Sequence, residues 1–85
     1  MHYELLINPK AEKALSKIDN RMALKVRNCI RALVLNPRPS GVKKLKGSDN
    51  AYQVRVGDYR IIYEIYDSKV LILIVNIGHR KEIYE

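Results

Sequence analysis

Two arginines on either side of a short turn are the residues of this chain best suited to bind an anion. Gly57-Asp58 lies between two runs of β-branched and aromatic residues, a pattern typical of a two-residue hairpin loop. In that register Arg55 lies directly opposite Arg60. Like charges in direct cross-strand contact destabilise a sheet, so the pair predicts an anionic ligand. Nucleic acid carries an anion at every repeat.

Arg80 and Tyr84, near the end of the sequence, could join the two arginines in one site. A guanidinium is planar, permanently charged and able to grip two phosphate oxygens at once. Several of them around one phosphate would stabilise the charge that builds up in phosphoryl transfer. Tyr84 could stack on a base or donate a hydrogen bond.

The position of Arg80 depends on the register of the last strand. Arg80 has the parity of Asn76, so it shares the face of Arg55 and Arg60 if strand geometry continues past Gly78. A three-residue turn over residues 67–69 would set Arg60 opposite Asn76, and a two-residue turn would not.

His79 is the histidine best placed to exchange a proton, because a neutral imidazole is the commonest acid–base group. Its position in the strand alternation is that of Ile77, so strict alternation puts it under the sheet or at the sheet edge. A structural role there is the alternative to catalysis. Two histidines and one cysteine, far apart, do not match a zinc spacing. We therefore predict no metal and no other cofactor.

The composition predicts one small basic domain, residues 1–85. Sixteen Lys and Arg against nine Asp and Glu leave a formal net charge of +7, which favours nucleic acid, an anionic membrane or an acidic protein as partner. No stretch approaches the length of an apolar membrane span, so we predict no membrane partner. The single cysteine and the absence of a signal-peptide pattern at the N-terminus predict a cytoplasmic protein.

The elements that must position these residues follow the order β-α-α-β-β-β. Strands are predicted over Tyr3–Ile7, Tyr52–Val56, Tyr59–Ile65 and Val70–Ile77, with helices between Asn8 and Asp19 and between Asn20 and Asn36. The simplest α+β solution is an antiparallel sheet with both helices packed on one face. The other face, with Arg55 and Arg60, is then open and basic.

Four spaced motifs carry a resemblance to a known family. They are Lys44-Leu45-Lys46-Gly47, Tyr52-Gln53-Val54-Arg55, Asp58-Tyr59-Arg60-Ile61-Ile62-Tyr63 and Gly78-His79-Arg80-Lys81-Glu82-Ile83-Tyr84. In these motifs the chain resembles the RelE-type toxins of bacterial and archaeal toxin–antitoxin pairs, within the wider RelE/ParE superfamily. The resemblance implies a RelE-like microbial RNase-type fold.

The resemblance also implies an activity and its partners. Family members bind translating ribosomes and cut mRNA in the A site. The 2′-hydroxyl attacks the adjacent phosphate and leaves a 2′,3′-cyclic phosphate, without a metal or another cofactor. The implied partners are a cognate antitoxin protein, the ribosome with its 16S rRNA, and mRNA.

By resemblance, three residues take catalytic roles. Arg60 would hold the scissile phosphate and its developing charge, Arg80 would act as acid toward the leaving 5′-oxygen, and Tyr84 would stack on or orient the nucleotide. Arg55 and Lys46 match basic residues of the family that contact the substrate.

Gln53 departs from the family pattern, which often has a lysine there as the proposed general base. An amide cannot take up a proton at neutral pH. We therefore expect Gln53, like Lys44, to contact the substrate, and the proton acceptor remains open between Tyr84, His79, Glu82 and a group of the mRNA or ribosome.

Two alternatives stand beside the nuclease. One is a ParE-like toxin that poisons DNA gyrase by protein–protein contact, without cutting RNA. The other is a catalytically weakened RNA-binding relative, which the missing lysine at Gln53 favours. The combination of Arg60, Arg80 and Tyr84 favours the RelE-type ribonuclease over both.

Overall fold

A computed structural model of the chain describes residues 2–79. Within that range the structure has five strands and two α-helices. They are β1 (Glu4–Ile7), α1 (Pro9–Ser16), α2 (Asn20–Leu35), β2 (Lys43–Lys44), β3 (Ala51–Val56), β4 (Tyr59–Tyr66) and β5 (Leu71–His79). The predicted α+β class is confirmed, and β2 is an additional strand that the sequence did not reveal.

Both helices begin at the caps that the sequence predicts. The Asn8 side chain accepts a hydrogen bond from the Ala11 N–H at 2.9 Å, and Pro9 occupies the first helical position. The Asp19 carboxylate accepts one from the Met22 N–H at 2.9 Å and starts α2. No helix in residues 2–79 is long and apolar enough to cross a membrane.

The core lies between the two helices and one face of the sheet. Buried residues of the helices include Ala11, Leu15, Val26, Ile30 and Leu33, and those of the sheet include Ile61, Tyr63, Ile65, Ile72 and Ile74. Helical spacing on one side and period-two spacing on the other bring these side chains together. Both helices therefore cover the same face, as predicted. We call the opposite face of the sheet the open face.

The sheet is mixed, whereas the sequence predicted an antiparallel one. The strand order is β1-β5-β4-β3-β2, with β1 parallel to β5 and the other neighbours antiparallel. Tight turns impose an antiparallel orientation only on strands that they connect directly. Because β1 and β5 are far apart in the chain, no such turn acts on them, and Leu5 and Ile7 face the core in the parallel arrangement.

A bulge in β5 changes which residues lie opposite Arg60. Tyr63 pairs with Ile74, but the preceding residue, Ile62, pairs with Asn76, so Val75 has no partner in the register. This extra residue in β5 moves Arg60 opposite Gly78, a register that the sequence did not predict with either turn length. It also shifts the alternation of β5, so that an odd-numbered residue, Ile77, follows the even-numbered Ile72 and Ile74 into the core.

An ion pair joins the loop after α2 to the connection between β4 and β5, at the end of the sheet away from the β3–β4 turn. Arg38 Nη2 lies 2.8 Å from Asp67 Oδ2, and its Nη1 lies 3.3 Å from Oδ1. The Tyr3 hydroxyl donates to the same carboxylate at 2.8 Å, and Arg38 Nε donates to the Tyr52 hydroxyl at 3.2 Å. Hydrogen bonds from Arg38 and Tyr3 hold the pKa of the Asp67 carboxyl below its usual value. The group is structural, because it lies at the end of the sheet away from the β3–β4 turn.

Candidate nucleic-acid interface

The hairpin between β3 and β4 places the two arginines as the sequence predicts. Gly57 and Asp58 form the two-residue loop, and Arg55 pairs with Arg60 across it. Gly57 has φ of +58°, the positive value that the first position of such a tight turn requires. The register is therefore a consequence of local turn chemistry.

The same turn is supported from below by α2. A Cβ at Gly57 would lie 3.0 Å from Met22 Cε, so the end of the Met22 side chain packs against the turn. The positive φ is the main reason that this position favours glycine, since the flexible Met22 side chain can shift. The contact holds the arginine end of the hairpin against the helical layer.

Arg55 and Arg60 differ in their surroundings. Arg55 is exposed, and its Nε donates to the Gly57 carbonyl at 3.3 Å, which turns the guanidinium toward the loop. Arg60 is half-buried and lies between Arg55 on one side and Gly78 on the other. Gly78 contributes no side chain beside Arg60, and the Arg60 Nε atom is itself buried. This arrangement can hold a phosphate with two guanidinium groups.

A second row of side chains crosses the open face next to the arginines. Lys43, Gln53, Ile62 and Asn76 lie side by side on β2, β3, β4 and β5. Gln53 lies on the open face, as the sequence predicted, but its side chain is buried, with 7% of its surface exposed. Its amide can donate and accept hydrogen bonds but cannot accept the proton of a hydroxyl at neutral pH.

The lysines before β3 are divided between the two faces. Lys44 pairs with Tyr52, whose side chain packs in the core, so Lys44 belongs to the helix side of the sheet edge. Lys43, its neighbour in sequence, shares the open face with Gln53. Lys46 is exposed in the turn that follows β2. Lys43 is the basic residue that the sequence-based site missed, since a two-residue strand has too little alternation to reveal its register.

His79 lies on the side of the sheet away from Arg60. It pairs with Tyr59, and the two rings meet edge to face with their centres 5.5 Å apart. Tyr59 packs against the core, so the imidazole is at the helix-side edge, as its parity predicted. Arg80 and Tyr84 lie outside the described residues.

The far end of the open face has a different chemical character. The Tyr66 hydroxyl donates to Glu64 Oε1 at 2.6 Å, and this bond raises the pKa of the Tyr66 phenol. Leu6 on β1 is 47% exposed beside Leu73. Positive charge is therefore concentrated at the end of the open face nearest the β3–β4 turn.

Comparison with known proteins agrees with this geometry. The sequence model of a family described as "ParE toxin of type II toxin-antitoxin system, parDE" matches residues 5–84. The toxin RelE3 of Methanocaldococcus jannaschii is 35% identical, over 80% of this chain and 75% of that protein. The mRNA interferase toxin RelE of Escherichia coli strain K12 is 25% identical, over 99% of this chain and 92% of its own length.

Solved structures show the same fold. The archaeal RelE–RelB complex from Pyrococcus horikoshii OT3 contains a chain that superposes with a TM-score of 0.85 at 27% identity. The match covers 98% of this chain and 100% of that one. The two-helix layer on a five-stranded mixed sheet is therefore shared with that protein.

Proposed function

We propose, from the premise that this chain belongs to the ParE toxin family of type II toxin–antitoxin systems, that it is a ribosome-dependent endoribonuclease that cuts mRNA in the A site. Relatives with the names RelE toxin and mRNA interferase support this function. The observation that carries it is the Arg55–Arg60 pair beside Gly78, which concentrates positive charge at one point of a basic protein.

In the proposed reaction the 2′-hydroxyl oxygen of one nucleotide attacks the adjacent phosphorus. The bond from phosphorus to the 5′-oxygen of the next nucleotide breaks, and a 2′,3′-cyclic phosphate remains. Arg60, with Arg55 beside it, binds the non-bridging oxygens and stabilises the charge that they gain. Arg80 acts as the acid and gives a proton to the leaving 5′-oxygen, which becomes the 5′-hydroxyl of the next nucleotide, and Tyr84 orients the nucleotide. Neither a metal ion nor another cofactor takes part in this scheme.

The acceptor of the 2′-hydroxyl proton is a separate question. Gln53 cannot serve, because an amide is not a base at neutral pH. The His79 ring is on the helix side of the sheet, whereas Arg60 is on the open face, so we expect no direct transfer to His79 from a nucleotide at Arg60. Tyr84, Glu82 or a group of the RNA or ribosome therefore remains as the acceptor.

The proposed partners follow from the family. RelE proteins have been solved in complex with RelB antitoxins, and we propose that a cognate antitoxin restrains this chain in the same way. A net charge of +7 favours an antitoxin with acidic segments. The substrate complex would contain mRNA and the 16S rRNA of the ribosome, and for that reason we propose a cytoplasmic location.

A second candidate function comes from the family description, which names ParE toxins. A ParE-like protein would poison DNA gyrase by protein contact and leave RNA intact. Induction of the chain in cells, with translation arrest scored against DNA damage, separates the two functions. We expect translation arrest without DNA damage, as the ribonuclease function predicts.

The decisive experiment is primer extension on mRNA bound to ribosomes. We expect cuts in the A site and cyclic phosphate ends with the unchanged protein, and neither with Arg60→Ala/Arg80→Ala. Lys69→Ala is the matched control, because Lys69 is exposed in the connection between β4 and β5. Toxicity that survived the double substitution in a folded protein would show that the proposed site is wrong.

A further inference from the structure

A second basic feature, separate from the open face, lies on the helix side of the sheet. Lys10 and Lys13 of α1 and Lys17, the residue that caps the end of the helix, lie at helical spacing and line a cleft. Tyr59 of β4 and residues 76–78 of β5 also line the cleft, and the cavity volume is about 550 Å³. We call this feature the basic cleft.

The cleft exists because β1 is shorter than β5. The last residue of β1, Ile7, pairs with Ile74, and the chain then turns into α1 at Pro9. Among the described residues, no strand pairs with the outer edge of β5 beyond Ile74. Residues 76–78 of β5 therefore line the cleft at a sheet edge that carries no strand among residues 2–79.

The chemistry of the basic cleft matches a nucleic-acid strand. All three lysines are exposed, and none of the described lining residues is acidic. Three ammonium groups on one helix face repel one another, and a polyanion would relieve that repulsion. Tyr59 adds an aromatic ring, and lysines beside an aromatic ring are the usual components of a groove for single-stranded nucleic acid.

The cleft and the arginine site meet at one residue. Gly78 lines the cleft and also lies directly opposite Arg60. Neighbouring strands are about 5 Å apart, so a chain held at Arg60 reaches the edge of β5 within one strand spacing. Gly78 itself contributes no side chain at this edge.

From this continuity we infer that the basic cleft binds the phosphodiester backbone of the same mRNA strand, next to the linkage held at Arg60. The inference rests on the proposed ribonuclease function and adds a flanking subsite to it. Lys10, Lys13 and Lys17 contribute affinity without base readout, because ammonium groups bind phosphates irrespective of sequence.

The test is binding of full-length protein to RNA made uncleavable by 2′-O-methyl groups. A trinucleotide reports on the arginine site alone, and an octanucleotide also reaches the cleft. The cleft variant is Lys10→Gln/Lys13→Gln/Lys17→Gln. The matched control is Arg21→Gln/Lys25→Gln/Lys69→Gln, which removes the same charge from exposed positions outside the cleft. Fluorescence anisotropy over a range of salt concentrations gives the Kd.

We expect the cleft variant to raise the octanucleotide Kd about 10-fold and to make its salt slope shallower by about 2, which corresponds to roughly 0.7 for each lost phosphate contact. Trinucleotide binding should change far less, and the control variant should differ little from the unchanged protein in its preference for the longer RNA.

Several outcomes would overturn the inference. They are equal effects of the cleft and control variants, an equal loss on both RNA lengths, or no measurable octanucleotide binding by the unchanged protein. Loss of affinity only for ribosomes without mRNA, or only for an acidic antitoxin, would assign the cleft to those partners and also overturn it. Arg60→Ala separates the two proposals, because unchanged trinucleotide binding in that variant would contradict the arginine site itself.

Discussion

Arg55 and Arg60 lie directly opposite each other on β3 and β4, although like charges in that position destabilise a sheet. The tight turn at Gly57 holds them there, and Met22 of α2 packs beneath the turn. Arg60 in turn has Gly78 on its other side. The fold thus maintains two like charges opposite each other, with Arg55 exposed and Arg60 half-buried, which is the expected arrangement for a phosphate site.

Substitution of one arginine of the pair should lower the cleavage activity, increase the stability of the fold, or both. Arg60→Ala should lower the rate of mRNA cleavage by about 10²–10³-fold, because a positioned donor to the developing charge is lost. Arg55→Gln should raise the free energy of unfolding by roughly 0.2–1 kcal/mol, since the cross-strand repulsion is removed. Primer extension and urea unfolding measure the two effects. Lys69→Gln is the control, and a gain in stability of the same size there would contradict the assignment.

The two lysines of β2 should behave differently in RNA binding. Lys43 shares the open face with Gln53, whereas Lys44 pairs with Tyr52 on the helix side. We therefore expect Lys43→Gln to weaken RNA binding several-fold and to reduce the salt slope by roughly 0.7. Lys44→Gln, with the same change of charge, should have a smaller effect. Titration of uncleavable RNA at several salt concentrations measures both, and a larger loss for Lys44→Gln would show that the register of β2 is wrong.

Replacement of Gln53 by lysine should increase activity. A lysine at this buried position would have a lowered pKa because burial and the nearby arginines disfavour its charged form. It could then accept the 2′-hydroxyl proton, and we expect a cleavage rate up to about 10²-fold higher. Single-turnover cleavage as a function of pH is the measurement. Gln53→Met, which cannot ionise, is the control and should show no increase.

Alanine at two glycines should separate backbone strain from close contact. Gly57 and Gly47 both have positive φ, +58° and +79°, but only Gly57 approaches another side chain, that of Met22. We expect each Gly→Ala substitution to cost about 1–2 kcal/mol, with the larger value at Gly57. Denaturant unfolding gives both values. In a Met22→Ala background the difference between them should disappear, and its persistence would count against the contact.

Stability in acid should depend on Asp67. Its pKa is lower in the folded protein than in the unfolded chain because Arg38 and Tyr3 donate to the carboxylate. The stabilisation is therefore complete above the unfolded value of about 3.9 and is lost as the pH falls through the folded value. Asp67→Asn should be less stable at neutral pH and lose less stability on acidification. Circular dichroism during acid titration tests this, with the exposed Asp49→Asn as control.

Much of the fold could be predicted because its signals are local. Asn8 and Asp19 accept hydrogen bonds from the first N–H groups of the helices that directly follow them, so neighbouring residues determine where each helix begins. The pairing of Arg55 with Arg60 follows from a two-residue turn. The helical and strand periods then assign side chains to the core or to the open face.

Other features depend on contacts between distant residues. The parallel pairing of β1 with β5, the bulge opposite Ile62 and Tyr63, and the bond between Arg38 and Asp67 all join segments that no short turn connects. Several alternatives bury similar apolar area, so the sequence pattern does not distinguish them. The division of Lys43 from Lys44 is of the same kind, since β2 obtains its register only from β3.

The amino-acid sequence alone determined the α+β class, the helix starts, the charged hairpin and the positive net charge, because these arise from interactions between near neighbours and from composition. Only the tertiary structure decided that Gly78 lies beside Arg60, that Gln53 is buried, that His79 faces the helices, and that three lysines in and just after α1 line a cleft reaching Gly78. These positions result from the summed packing of strands and helices that meet only when the whole chain has folded.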